Sequence, residues 1–185
     1  MHVHIETERL VIRPLNLSDE KGMFEMDSDP EVHKYIHKKP LKTIEETRDM
    51  IQFITDQYKE FGIGRWAVVE KATGEFVGWT GFKFLKGPIN GQSDYYDFGY
   101  RLSRRFWGKG YATESGRASL NYGIETLQFK DVFAMTDVDN AASRRILEKL
   151  GFRYKETFCY DELSPTWRDP GQLATWYELA KNPDQ

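Results

Sequence analysis

The sequence predicts a single α/β domain over residues 1–185, built on one mixed β-sheet with helices on both faces. Segments typical of strands and helices follow one another in the order β, short helices, β-β-β, α, β, α, β, β, which is the pattern of such a sheet. A length of 185 residues suits one domain. Hydrophobic residues at 39% and charged residues at 30% predict a packed core rather than a disordered chain.

The first third of the chain predicts one strand followed by helices. The predicted elements are a strand over 4–15, a helix that begins after the N-cap Ser18, a helical turn over 31–36 and a long helix over 44–61. Pro14 closes the strand, because proline cannot donate to a β-ladder. Thr43 and Glu46 form a capping box at the start of the long helix, and Gly62 and Gly64 end it.

The long helix carries an apolar stripe with a spacing of three and four residues, the period of an amphipathic helix. Its members are Ile44, Thr47, Ile51, Ile54, Tyr58 and Phe61. Such a stripe could serve as a face for a partner protein, but a lone stripe normally packs against the sheet of its own domain. We therefore expect it to lie in the core.

The middle of the chain predicts three strands and a helix. The strands cover 65–70, 75–85 and 94–102, with a tight turn at 71–74 and a turn-rich loop at 86–93. The tight turn predicts a hairpin between the first two strands. A glycine-bearing loop then leads into a helix that runs to about Thr126. One face of this helix is expected to pack on the sheet and consists of Tyr111, Ser115, Ala118 and Tyr122.

The last third predicts three strands and one helix. The expected elements are a strand over 130–138, a helix through Leu150, a strand over 152–160, a polar loop over 163–171 and a closing strand over 172–179. Either Asp139 or Asn140 caps the helix, because short polar side chains accept hydrogen bonds from the first free N–H groups. Gly151 ends it.

Composition excludes several classes of protein. A net charge of −3, from 26 basic and 29 acidic residues, argues against a general nucleic-acid binder. Cys159 is the single cysteine, so no internal disulfide is expected. No apolar run approaches the ~18 residues of a membrane span, and the first residues lack a signal-peptide core, so we expect a cytoplasmic protein that binds no membrane. His33 and His37 are four residues apart without an evident third ligand, and no metal is expected.

The loop before the central helix predicts an anion site. Helix N-termini present N–H groups without intrahelical partners, and the helix dipole favours negative charge there. Gly108 and Gly110 allow positive φ angles and close approach of a ligand to the backbone. Arg104, Arg105 and Lys109 add positive charge around the same turn. The expected ligand is a phosphate or pyrophosphate, and the alternative is a turn whose charges are merely solvated.

Two familiar phosphate loops do not fit this stretch. A P-loop needs G-x-x-x-x-G-K-[ST], and the dinucleotide fingerprint needs a third glycine where Thr113 stands. The spacing of Arg105, Gly108, Gly110 and Ala112 instead resembles the [QR]-x-x-G-x-[GA] acyl-CoA loop of the GNAT superfamily, the GCN5-related N-acetyltransferases.

A second motif carries the same resemblance. Asn140, Ser143, Lys149, Gly151 and Phe152 match the spacing of the N-x-x-S-x-x-x-x-x-K-x-G-F signature of the GNATs. The segment over 8–14 also resembles the T-x-R-L-x-L-R opening of the ribosomal-protein N-terminal acetyltransferase branch. Apart from that opening, the resemblance is concentrated in residues 97–152.

The resemblance implies a GNAT-like fold and a co-substrate. In that fold the central sheet is twisted and mostly antiparallel, and acetyl-CoA lies where one parallel strand pair splays apart. Backbone groups near Leu102 pair with the pantetheine and the acetyl carbonyl, amides of the glycine loop hold the pyrophosphate, and Asn140 bonds the pantetheine arm. The implied contacts come from Leu102, Arg105, Trp107, Gly108, Lys109, Gly110, Tyr111, Ala112 and Asn140.

The implied reaction is direct attack of an amine on the thioester, which requires a base for the proton of the ammonium. The resemblance implies Asp97 as the base, because the branch usually carries an acidic residue before Gly-Tyr, here Gly99 and Tyr100. Burial beside Tyr and Phe rings would raise the pKa of this carboxyl, and the alternative is an aspartate on the surface of the strand. GNATs often carry a tyrosine as the acid at the position of Leu147. Its absence leaves the acid open; Ser143 is the substitute in the ribosomal-protein branch, although its hydroxyl can equally bond its own helix. A non-catalytic acyl-CoA-binding or sensor domain is the alternative function.

The partners follow from this reaction. The acceptor is a primary amine, either a protein N-terminus or a small molecule. Its identity is not encoded in the loops that shape its pocket, which cover 29–40, 86–93 and 163–171. Edge strands and an aromatic content of 15% favour a homodimer, although no residue pattern requires one.

Overall fold

The computed structural model describes residues 3–36, 39–160 and 170–180. Its strands are β1 (Ile5–Glu6), β2 (Leu10–Pro14), β3 (Arg65–Glu70), β4 (Phe76–Leu85), β5 (Tyr95–Leu102), β6 (Val132–Asp137), β7 (Phe152–Cys159) and β8 (Leu173–Leu179). Its α-helices are α1 (Glu20–Asp27), α2 (Pro30–His33), α3 (Ile44–Phe61), α4 (Tyr111–Asn121) and α5 (Ala141–Lys149).

The strands form one sheet of eight, in the order β1-β2-β3-β4-β5-β6-β8-β7. Neighbours are antiparallel except β5 and β6, which are parallel. The sheet is therefore mixed and mostly antiparallel, and the predicted fold class is confirmed. None of the helices in the described part of the chain combines the length and the apolarity that a membrane crossing needs.

Helices cover both faces of the sheet because side chains alternate along every strand. One face packs Trp66, Phe82 and Phe98 against α4 and α5 in the largest cluster of buried apolar residues. The opposite face packs Ala67 and Phe76 against α1 and α3. The strand β5 lies at the centre, so its odd- and even-numbered residues face different layers of helix.

The long helix α3 begins and ends where the sequence predicts. Thr43 Oγ1 accepts from the Glu46 amide, the Glu46 carboxylate accepts from the Thr43 amide, and Gly62 takes a left-handed φ of 68°. Thr47, Ile51 and Ile54 of the predicted stripe are buried. The stripe therefore packs in the core, as expected.

The N-terminal segment corrects two predictions. The strand predicted over 4–15 is two short strands, because Thr7 closes a turn in which its N–H and hydroxyl bond the Leu10 carbonyl at 2.9 and 3.3 Å. The predicted N-cap Ser18 is also wrong. Asn16 caps a 3-10 turn over 17–19, with Asp19 completing its capping box, and α1 follows that turn directly.

Two further boundaries differ. The turn predicted over 31–36 is the shorter α2, which begins at Pro30. The helix predicted to reach Thr126 changes pitch, since α4 is followed by a π-helical turn over 122–126. Most of the polar loop predicted over 163–171 lies outside the described residues, as does His37.

Candidate functional site

The strands β5 and β6 separate after a short parallel contact. Their register pairs only Tyr96 with Val132 and Asp97 with Phe133, although β5 continues to Leu102 and β6 to Asp137. Beyond Asp97 the two strands no longer pair. The result is a V-shaped gap that opens toward the carboxyl ends of both strands.

Backbone groups of β5 face this gap. The Ser103 N–H donates to the Val77 carbonyl at 3.0 Å, which places Ser103 and every second residue before it on the β4 side of the ladder. The N–H and C=O groups of Tyr100 and Leu102 therefore point toward β6, where the register provides no partner. The Leu102 carbonyl accepts from the Trp107 indole at 2.8 Å. The gap is thus lined by peptide groups able to bond an extended ligand.

After β5 and a 3-10 turn over 104–106 lies a row of five amides, from Gly108 to Ala112. None of them donates a hydrogen bond to any residue in the described part of the chain. The first helical N–H with an acceptor is that of Thr113, which bonds the Gly110 carbonyl at 3.1 Å. Consecutive free amides at a helix N-terminus form a concave donor site for an anion. These residues fit a pyrophosphate.

Glycine is required at both turns of this loop. Gly108 has a φ of 75° and Gly110 a φ of 82°, a region that residues with a Cβ rarely adopt. A Cβ on Gly108 would meet nothing within 4 Å, so glycine is needed at this position because of its backbone conformation and not because of crowding. The sequence-based prediction of positive φ at these glycines is confirmed.

The cationic side chains of the loop are engaged within the protein. Arg105 bonds Glu75 at 2.7 Å, and Arg104 pairs with Asp29 at 3.0 Å. The Lys109 ammonium lies 5.1 Å from the centre of the Phe106 ring. The Trp107 side chain is 48% exposed while its indole N–H is held by Leu102. The predicted contribution of Arg105 therefore competes with an ion pair, and the amides are the principal donors.

The second motif lies across the gap from β5. Asn140 is the N-cap of α5, and its Oδ1 accepts from the Ser143 amide at 3.1 Å. The Ser143 hydroxyl lies 3.0 Å from the Tyr100 hydroxyl, which also donates to the Ser143 carbonyl at 3.2 Å. Burial raises the pKa of Tyr100 to about 12, while the bond with Ser143 opposes the rise. A pair of hydroxyls thus joins β5 to α5.

Leu147 has no group that could act as the acid in place of the missing tyrosine. Its side chain is 2% exposed and packs in the apolar cluster with Phe152 and Tyr177. A hydroxyl donor near the gap therefore comes from Ser143 and Tyr100. Tyr100 was not among the residues singled out from the sequence, and its position next to Gly99, after the assigned base, is the only signal that points to it.

Asp97 lies on the opposite face of the sheet from Tyr100. Its carboxylate accepts a bond of 2.5 Å from Arg65, and both side chains are mostly buried, at 13% and 12% exposure. Burial lowers the pKa of Arg65, and the Asp97 charge acts against that shift. The expected surroundings of this carboxyl were aromatic rings, whereas the contact that the structure gives it is a buried guanidinium, which the sequence did not indicate.

A second buried ion pair lies beside the first. Arg101 bonds Asp27 at 2.6 Å, and the Asp27 carboxylate is 3.5 Å from the His33 ring. Burial raises the pKa of Asp27, but the Arg101 charge and the His33 hydrogen bond outweigh it and leave the pKa below its usual value. The Arg65 and Arg101 guanidiniums each lie 5.1 Å from the Trp79 ring. Two α-helices are thereby tied to the strand that borders the gap.

No group of three potential metal ligands occurs among residues 3–36, 39–160 and 170–180. His33 is buried beside Asp27, while His37 lies outside these ranges. The expectation of no metal therefore stays a prediction for the whole chain.

Comparison with known proteins identifies the fold and the chemistry. The family model described as "Acetyltransferase (GNAT) domain" matches residues 9–153. A Bacillus licheniformis protein described as the uncharacterized N-acetyltransferase p20 is 35% identical over 147 residues, covering 80% of each chain. An Aspergillus fumigatus protein named FsC-acetyl coenzyme A-N(2)-transacetylase is 32% identical over 158 residues, or 83% of this chain and 66% of that protein.

A solved structure agrees with the fold. The ribosomal-protein-S5-alanine acetyltransferase of Vibrio fischeri superposes with a TM-score of 0.77 and covers 98% of both chains. At 16% identity this likeness concerns the fold alone.

Proposed function

The chain belongs to the GNAT acetyltransferases, an acetyl-CoA-dependent family, and we propose that it passes the acetyl group to a primary amine by direct attack of that amine on the thioester. The proposal rests on one observation above all. Five successive amides without acceptors, from Gly108 to Ala112, stand at the end of a strand whose own peptide groups face an unpaired gap. An acyl-CoA has a pyrophosphate, which matches the row of amides, and an extended arm that contains amides, which matches the gap.

The cofactor contacts follow from this placement. Amides of Gly108, Lys109, Gly110, Tyr111 and Ala112 bond the pyrophosphate. The Leu102 N–H bonds the arm within the gap. On the family pattern alone, we also propose contacts from Arg105, Trp107 and Asn140.

Bound acetyl-CoA supplies the activated acyl group. Asp97 accepts, directly or through one water, the proton that the acceptor ammonium must lose before its free amine attacks, and the second proton, lost from nitrogen as the amide forms, passes to the departing thiolate. Arg65 holds the Asp97 carboxylate in place. On the far side of the gap, Ser143 donates a hydrogen bond to the departing sulfur, which leaves as a thiolate. No covalent intermediate on Cys159 is required.

The acceptor is a protein N-terminus or a small amine. The segment over 8–14, which resembles the opening of the ribosomal-protein branch, supports a protein N-terminus. The fungal relative is instead named for transfer to an N(2) position of FsC. That name, and the description of the Bacillus licheniformis relative as an N-acetyltransferase, refer to acylation of nitrogen and support the amine class. The panel of acceptors below distinguishes a protein N-terminus from a small amine.

The test measures release of free thiol from acetyl-CoA with a panel of peptides and small amines. Transfer to at least one primary amine is expected, with mass spectrometry locating the acetyl group on nitrogen. One observation supports the alternative, a non-catalytic acyl-CoA sensor: Leu147, at the position of the usual acid, is a buried apolar residue. Tight binding of acetyl-CoA without thiol release across the panel would favour the sensor.

A further inference from the structure

The hairpin of β1 and β2 contacts the first turn of α4 through a single carboxylate, that of Glu114. Glu114 accepts from the Thr7 hydroxyl at 2.6 Å, from the Arg9 amide at 3.0 Å and from Arg9 Nε at 2.7 Å. Its carboxylate also lies 2.6 Å from Arg9 Nη2. The hydrogen bonds from Thr7 and Arg9 outweigh burial and lower the pKa of Glu114. The side chain of Arg9 is thereby fixed against the helix start.

The remaining guanidinium nitrogen of Arg9 bonds the glycine loop. Its Nη1 donates to the Lys109 carbonyl at 2.9 Å, and its guanidinium carbon lies 4.5 Å from the centre of the Tyr111 ring. A Cβ added to Gly110 would come within 3.4 Å of Arg9 Nη2. The guanidinium therefore lies directly behind the loop, on the side of the hairpin.

The direction of one carbonyl fixes the direction of the next amide. The peptide bonds of the described chain are trans, so the carbonyl of Lys109 and the N–H of Gly110 point in opposite directions. Because Arg9 draws the Lys109 carbonyl toward the hairpin, the Gly110 N–H is turned outward, where it joins the row of free amides. Without that bond, the two glycines would allow the peptide plane to rotate.

We propose that Arg9 is a positioning residue for acyl-CoA binding, which holds the Lys109–Gly110 peptide in the orientation that bonds the pyrophosphate. This inference rests on the proposed function. Glu114 and Thr7 hold Arg9 in turn. These contacts also give a physical role to the opening segment over 8–14, to which Arg9 belongs. A preorganised donor binds more tightly because its ordering cost is met before the ligand arrives.

The experiment compares Arg9→Met with Arg48→Met. Arg48 is a matched control: its Nε also bonds a carboxylate, that of Glu20, at 2.7 Å, and its side chain is 47% exposed against 42% for Arg9. It lies on α3, away from the gap. Calorimetric titration with CoA is expected to show binding weakened about 10- to 30-fold in Arg9→Met and unchanged in Arg48→Met. Circular dichroism establishes that each variant is folded.

A second measurement separates positioning from general damage. S-acetylpantetheine lacks the pyrophosphate, so kcat/KM for this donor is expected to stay within about 2-fold in Arg9→Met while kcat/KM for acetyl-CoA falls with the CoA affinity. Arg9→Lys keeps the charge but not the fork that reaches both Glu114 and the carbonyl, and is expected to lose most of the same affinity.

Two results would overturn the inference. One is unchanged CoA affinity in both folded Arg9 variants; the other is an equal loss of kcat/KM for both donors. A wild-type protein that binds no CoA would overturn the proposed function instead, and the wild-type titration reports that outcome by itself.

Discussion

Asp97 and Ser143, the two residues assigned to the chemistry, approach the gap from opposite faces of the sheet. Asp97 is an odd-numbered residue of β5 and meets Arg65, on the face of α1 and α3. The even-numbered Tyr100 meets Ser143 on the other face. A thioester lying in the gap is therefore open to a base from one side and to a hydroxyl from the other. The amine is expected to arrive on the Asp97 side.

Asp97→Asn should lower the rate of acetyl transfer ~100-fold or more and leave acetyl-CoA affinity nearly unchanged, because the amide cannot accept the ammonium proton. The loss should be largest near neutral pH and smaller at high pH, where solvent supplies free amine. Rates measured from pH 6 to 10 with saturating acetyl-CoA check this. A uniform loss at all pH values would point to a purely structural role in the pair with Arg65.

Ser143→Ala should cost less, about 10-fold in kcat, because water can partly replace a hydroxyl that only polarises the departing sulfur. Tyr100→Phe should give a similar or smaller loss, since Tyr100 acts through Ser143, and the double variant should be no worse than Ser143→Ala by more than about 2-fold. Steady-state kinetics of the three variants test this coupling. Additive losses would separate the two hydroxyls, and a Ser143 effect larger than that of Asp97→Asn would place the base elsewhere.

Lys83 provides a prediction about pH and stability. Burial lowers the pKa of its ammonium to about 8; the Asp97 charge opposes this shift and the Arg65 charge adds to it. An unfolded lysine titrates near ~10.4, so between about pH 8 and 10 the unfolded chain holds a proton that the native chain has lost, and this contribution to stability rises with pH. Lys83→Met should flatten that rise in the free energy of unfolding.

Urea unfolding of Lys83→Met at pH 7 and pH 10 measures the effect, and Lys86→Met is the control, since that side chain is 63% exposed. The Lys83 variant should be the more stable protein at pH 7, with the advantage over wild type shrinking toward pH 10. The same gain at both pH values would contradict the assigned shift.

Element boundaries that are set by contacts between residues close in sequence were predictable. The capping box at Thr43 and the left-handed Gly62 depend on contacts within a few residues, and the α3 boundaries agree with the sequence. The break between β1 and β2 was not predicted, although its turn from Thr7 to Leu10 is local. The bond from the Thr7 hydroxyl to Glu114, 107 positions away, could not be predicted. The Arg65 partner of Asp97 is likewise 32 positions distant. Periodicity reports burial, and it contains no information on such long-range polar pairs.

The glycine loop allows a prediction at the scale of one element. Gly108 and Gly74 have φ angles of 75° and 73°, and a Cβ at either would meet nothing within 4 Å. Valine at either position should therefore destabilise the protein similarly, by about 1–3 kcal/mol. Only Gly108→Val should also abolish the thermal stabilisation by acetyl-CoA, which wild type and Gly74→Val should keep. A thermal shift assay decides, and equal stabilisation of all three proteins would contradict the loop assignment.

At the scale of the whole molecule, β7 is an edge strand of the sheet, and five successive residues of it, from Arg153 to Thr157, are exposed. An exposed edge presents unpaired peptide groups to another strand. We predict a homodimer, and sedimentation velocity at micromolar concentration should give twice the mass of 21.7 kDa. A single species at the monomer mass would refute this.

The place of β8 in the sheet has a consequence for events on the ribosome. β8 lies between β6 and β7, yet it is synthesised after both. At the usual pace of translation, about 2 to 8 s pass between the emergence of β6 and that of β8. During this delay β6 has only its short contact with β5, and β7 has no neighbouring strand at all. The nascent chain then presents the unpaired β7 and the open edge of β6 to chaperones and to other nascent chains, and the β6 wall of the gap is the latest part to become rigid.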